Sequence, residues 1–162
     1  MRPIVFLDID GVLNSRRYFE RIPSSKVVRE ERGEADRRRM IDPQAMERLN
    51  RLLSAIAADV VISSAWRVGE STVSMQKFLE SVGFLGNVIG LTPAHGSYRG
   101  RGKEIEAWLR DTQGAGDHSA RILVIDDDDD IDPFADRHLH TRNEIGLTDA
   151  DVLQGIAMME SA

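Results

Sequence analysis

The stretch PIVFLDIDGVLN, residues 3–14, sets five residues from Pro3 to Leu7 as an apolar run and follows it with Asp8, Asp10 and Gly11. The run reads as a buried strand. Alternate side chains of a strand point the same way, so the two carboxylates crowd one spot. Like charges that close cost free energy unless something positive lies between or beside them. The rest of the chain has to supply it.

Two more apolar runs end in polar residues: DVVIS (Asp59–Ser63), followed by Ser64, and RILVI (Arg121–Ile125), followed by Asp126 and Asp127. NVIGL and RHLHT read as shorter strands. Helical spacing falls between them. DPQAMERLNRLLSAIAA has Asp42 to cap it, Pro43 at its first turn and Met46, Leu49, Leu53 and Ile56 on one face. STVSMQKFLESVG turns Met75, Phe78, Leu79 and Val82 inward and stops at Gly83. KEIEAWLRDTQ carries Ile105, Trp108 and Leu109 as a stripe, and GLTDADVLQGIAMM is capped by Thr148 with Asp151 three residues on. Continuous apolar strands alternating with helices predict a mainly parallel sheet covered on both faces, an α/β Rossmann-like three-layer sandwich. Ligands of such sheets bind beyond the carboxyl ends of the strands, where these polar residues gather.

The 162 residues read as a single domain with an ordinary balance of 41% hydrophobic and 30% charged residues. The absence of cysteine removes disulfides, a thiol nucleophile and a Cys-based zinc site. No secretory signal and no run of membrane-spanning length is apparent, so a cytoplasmic protein with no membrane partner is expected. The net charge of −6 disfavours nonspecific nucleic-acid binding. Residues 14–41 nevertheless hold nine Lys or Arg against five Asp or Glu, a surplus of four, and show little apolar periodicity. They read as a flap-like insertion, either a solvated loop or an arm that meets an anionic substrate and covers the site.

Carboxylates at one sheet edge are most easily reconciled by Mg²⁺, a hard cation that prefers oxygen. Next to it one carboxylate can attack a phosphoryl group, and the second can protonate the leaving oxygen and later activate water. Lys103, in the first turn of a predicted helix, is the expected ammonium for the phosphoryl oxygens. Asp128–Asp130 read as a charged loop. The four histidines lack metal-site spacing, GSYRGRGKE does not match a P-loop, and a strand ending in Ser after DIDG does not suit a receiver domain.

DIDGV, a Ser closing a second strand, a downstream Lys and a third strand ending in DD resemble, in chain order, the four motifs of the haloacid dehalogenase (HAD) superfamily, with a small cap or none. The resemblance implies Asp8 as nucleophile and Asp10 as general acid/base. It implies Ser63, with Ser64 adjacent, and Lys103 on the phosphoryl group. Mg²⁺ is then held by Asp8, the Asp10 carbonyl and Asp127, with Asp126 adjacent and Asp132 as a supporting acid. SSAWR (Ser63–Arg67), GLTP and GKEIEAWL are similar to the phosphatase-like domain of Swiss Army Knife RNA repair proteins. That implies a phosphorylated substrate, a nucleotide or a nucleic-acid end, which Arg67 and Arg99 or Arg101 would touch. Arg67 has the alternative of pairing with a nearby acid, and Trp66 that of core packing rather than stacking on a base. The competing class is a phosphate- or nucleic-acid-binding module that keeps the fold without turnover.

Overall fold

The computed structural model describes residues 2–22, 34–94, 100–113 and 121–161. Five strands form one all-parallel sheet: β1 (Ile4–Leu7), β2 (Asp59–Ile62), β3 (Val88–Leu91), β4 (Ile122–Asp126) and β5 (His138–His140), in the order β3-β2-β1-β4-β5. The first strand lies at the centre. The chain builds outward to one side through β2 and β3, then returns to add β4 and β5 on the other. The order therefore reverses beside β1, which is where an open parallel sheet leaves a crevice for ligand.

The pleat sorts the apolar runs between two cores. Val5, Leu7, Val60, Ile62, Leu123 and Ile125 face a large cluster with α3 (Pro43–Ile56), α4 (Thr72–Glu80) and α6 (Asp149–Glu160). Ile4, Phe6, Val61, Ile122 and Val124 face a smaller one with Ile105 of α5 (Arg101–Gln113) and with Ile131 and Phe134. Each fully buried leucine of the larger core, such as Leu49 or Leu52, contributes on the order of 1.5–3 kcal/mol over leaving it in water. The expected caps form as well. Asp42 accepts the Gln44 N–H at 2.9 Å ahead of Pro43, and Thr148 and Asp151 make a reciprocal capping box.

Two differences from the sequence reading concern the site. Residues 14–41 are not irregular throughout: α1 (Arg16–Arg21) follows a Ser15 cap, and α2 (Glu34–Arg39) precedes α3. Tyr18 of α1 donates to the Arg39 carbonyl at 2.9 Å. Helix α5 begins at Arg101, two residues before the start that its apolar stripe predicts. Among the described residues no helix is long and apolar enough to cross a membrane.

Candidate active site

Register decides what meets at the sheet edge. Leu7 is paired with Ile62 on one side and Ile125 on the other, and the ladder continues with Ser63 N–H to Leu7 O and Asp8 N–H to Ile125 O. The next rung therefore sets Ser63, Asp8 and Asp126 abreast. All three follow Val61, Phe6 and Val124 on the side of the sheet that α5 covers. Asp127 comes one residue later, and its carboxylate joins those of Asp8 and Asp126, all within 4.8 Å of one another. Gly11 makes room for it. A Cβ there would lie 2.3 Å from Asp127 Oδ2, and the φ of +71° is one that side chains rarely adopt. Asn143 steadies Asp127 from outside, its Nδ2 donating to Oδ2 at 3.0 Å.

Burial pushes the Asp8 carboxyl well above its usual range, and Arg101 and a Ser64 hydrogen bond only partly oppose it. Asp126 is raised by burial and then by the Asp8 charge. Arg101, at the first residue of α5, is the cation of the corner. It lies 3.0 Å from Asp126 Oδ2 through Nε and 3.7 Å from Asp8 Oδ1. The shorter contact is an ion pair only: among the described residues Asp126 Oδ2 accepts no hydrogen bond, and the buried Ser63 hydroxyl has no hydrogen-bond partner. Buried polar atoms normally find hydrogen-bond partners, so these two retain the capacity to accept or donate one to a ligand.

The donor set fits a divalent cation. It is three carboxylates offering oxygen alone, two of them buried so that burial opposes their ionisation, with one buried oxygen lacking a hydrogen bond among the described residues. A hard cation restores the charged forms and suits such ligands.

The structure separates the other expected site residues. Ser64 meets Asp8 and also caps the short turn Ala65–Arg67, accepting the Trp66 N–H at 3.3 Å. Lys103 is exposed and makes no ion pair with the acids among the described residues. With α5 starting at Arg101, the first-turn cation facing the acids is Arg101, and a residue two places on points to a different side of the helix. Arg67 is enclosed by acceptors of the chain itself. It is 6% exposed and all five of its N–H groups are used: Nε to Thr92 O at 2.7 Å, Nη1 to Ser63 O and Ser64 O at 3.2 and 2.6 Å, Nη2 to Pro93 O and Glu104 Oε2 at 3.2 and 2.8 Å. It ties the ends of β2 and β3 to α5, which is the alternative of pairing with an acid. Arg99, His95 and His118 lie outside the described residues. His138 and His140 stack on each other and bond the carbonyls of Asp126 and Asp127 through Nε2, at 3.0 and 3.1 Å, so they brace the acidic loop.

Asp10 stands apart from the three clustered carboxylates. Asn14 Nδ2 donates to its Oδ1 at 2.9 Å and Trp66 Nε1 to its Oδ2 at 3.0 Å. Neither partner stands out in the sequence: Asn14 belongs to no motif there, and Trp66 reads as core packing. Gly102 completes the placement of Arg101: a Cβ there would sit 1.9 Å from Asp132 O, so the first turn of α5 lies directly on the backbone that follows the acidic run.

A central parallel strand ending in DIDG, with a hydroxyl on one neighbouring strand and acids on the other, is the Rossmann-like architecture of a HAD fold. The chain belongs to the family described as the HAD domain in Swiss Army Knife RNA repair proteins, whose model matches residues 4–152. No curated protein and no solved structure showed significant similarity to it. Membership supports a phosphatase-type hydrolase, a class that typically uses a divalent metal.

Proposed function

We propose that the protein is a Mg²⁺-dependent phosphomonoesterase working through an aspartyl-phosphate on Asp8. The observation that carries this reading is the rung of Ser63, Asp8 and Asp126, with two of its buried oxygens lacking a hydrogen bond among the described residues and Asp127 closing the acid group. Asp8, Asp126 and Asp127, with the Asp10 carbonyl, would hold the cation, which would offset the negative charge of carboxylates and phosphoryl group alike. An Asp8 oxygen attacks phosphorus as the bond to the leaving oxygen breaks, and Asp10 gives that oxygen its proton. Asp10, now a carboxylate, takes a proton from water. The resulting hydroxide displaces Asp8 from phosphorus, releasing phosphate and restoring both side chains. The Ser63 hydroxyl and the Arg101 guanidinium hold the phosphoryl oxygens while charge moves between them.

The family's description and the basic surplus of residues 14–41 support a substrate in which the phosphate ends a nucleotide or nucleic-acid strand. The test is phosphate release with Mg²⁺ from a panel: an aryl phosphate, nucleoside monophosphates, sugar phosphates, and oligonucleotides bearing 3′- or 5′-phosphates. Release that falls at least about a thousandfold in Asp8→Asn supports the mechanism, and full activity in that variant overturns it. Preference for oligonucleotide ends supports the substrate class. Mg²⁺-dependent binding of these ligands with no release from any would instead make the chain a binding module.

A further inference from the structure

Asp10 is exposed, yet both of its oxygens are held. Asn14, which grips Oδ1, is buried and accepts the Gly11 N–H at 3.0 Å, so its amide is itself fixed by the DIDG turn. Trp66, which grips Oδ2, sits on the turn just beyond Ser63 and Ser64 and packs its ring on Phe78 at 5.7 Å. The Arg37 guanidinium lies over that indole at 5.3 Å and over Phe78 at 5.0 Å. Arg37 is anchored in turn by Glu70 at 2.6 Å, and Ser74 donates to the other Glu70 oxygen at 2.6 Å. A chain of contacts thus runs from α2, in the basic insertion, through an indole N–H to one carboxylate oxygen of the DIDG motif. A solvated aspartate would sample several rotamers, whereas proton transfer needs its oxygen within hydrogen-bond reach of the leaving atom.

We propose that Trp66 is a positioning residue for the reaction. Its indole N–H, together with the Asn14 amide, holds Asp10 in the orientation from which it protonates the leaving oxygen, and Arg37 braces the indole. This rests on the reading of Asp10 as the acid given above. The proton passes from Asp10 to the leaving oxygen as the P–O bond breaks, and how much it matters depends on the leaving group. A nitrophenolate departs well without it, whereas an alkoxide does not. Loss of orientation therefore costs basic leaving groups more, and simple loosening of the fold costs all esters alike.

The experiment compares kcat/KM, which reports steps up to P–O cleavage, with Mg²⁺ present. Its substrates are para-substituted phenyl phosphates from nitro to methoxy, plus benzyl phosphate. Trp66→Phe keeps an aromatic ring, a smaller one, and removes the N–H. It should fall about twofold on the nitrophenyl ester and about tenfold or more on benzyl phosphate, within the range general acid catalysis supplies. Asp10→Asn should steepen the dependence further. A steep Asp10→Asn series beside a uniform or absent loss in Trp66→Phe overturns the positioning role alone. A flat Asp10→Asn series overturns the acid assignment and this inference with it. Asn14→Ser, which loses the donor to Oδ1, should steepen the series in the same sense, and it decides the matter if Trp66→Phe does not fold. Arg37→Ala should steepen it less and add nothing in the Trp66→Phe background; full additivity removes Arg37 from the account.

Discussion

Arg67 is tied to α5 and Arg101 begins it, within one corner of the molecule, and their surroundings are opposite in kind. Arg67 has one acceptor for each of its five N–H groups and a carboxylate, Glu104, to balance its charge. Arg101 faces two carboxylates whose ionisation burial opposes, and one of their oxygens has no hydrogen bond at all. The first arginine has nothing left to offer a ligand; the second stands beside an acid oxygen that, among the described residues, still lacks a hydrogen bond. A buried charge fully matched by the chain holds the fold, and one left incomplete marks where something else binds.

The sharpest test of that contrast is on the matched side. Arg67→Ala should destabilise the protein by about 3–5 kcal/mol in urea unfolding, because it strands the Glu104 carboxylate together with the carbonyls that the guanidinium joined. A loss below about 1 kcal/mol, the level of a surface pair, would break the comparison. On the incomplete side, Arg101→Ala should lower phosphate release about a hundredfold while the folded state persists, the scale of removing one oxyanion-stabilising group. Lys103→Ala, assayed alongside, should stay within about twofold, since Lys103 is exposed and makes no ion pair with the acids among the described residues. Reversed results would return the phosphoryl-holding role to the lysine.

The smallest effect is in stability against pH. Asp8 and Asp126 hold protons more tightly folded than unfolded. Without metal, then, their protonated forms favour folding at low pH, and that advantage is lost as pH rises from the ordinary carboxylate range towards neutrality. Mg²⁺ binds the deprotonated pair, so its stabilisation should grow over the same interval. Melting temperatures with and without Mg²⁺ should differ by a few degrees more at pH about 8 than at pH about 5.5. An equal gain at both would mean that the cation binds elsewhere.

Most of the sheet was legible because its strands are apolar runs that end in chemistry, and a run needs no partner to be seen. Even RHLHT, with two histidines in five residues, forms the β5 strand. What the runs do not carry is their alignment. That Ser63 and Asp126 flank Asp8 on one rung follows from hydrogen bonds between strands more than fifty residues apart in the chain. The shift from Lys103 to Arg101 has a local cause. The apolar stripe shows which face of α5 is buried but not where the helix begins, and an error of two residues moves a cation to another side. Trp66 reads as core packing rather than a platform for a base, and its packing on Phe78 fits that reading. Its bond to Asp10 spans 56 positions and has no periodic trace.

Position 102 carries a consequence that no charge explains. The volume that a methyl group would need there is filled by the main chain of Ile131 and Asp132, which cannot rotate aside as a side chain can. Any residue larger than glycine would act as a wedge, lifting the start of α5 and drawing Arg101 off the acids with every ionisable group still in the sequence. The reactivity of this corner is thus also a matter of clearance, set by a single missing carbon.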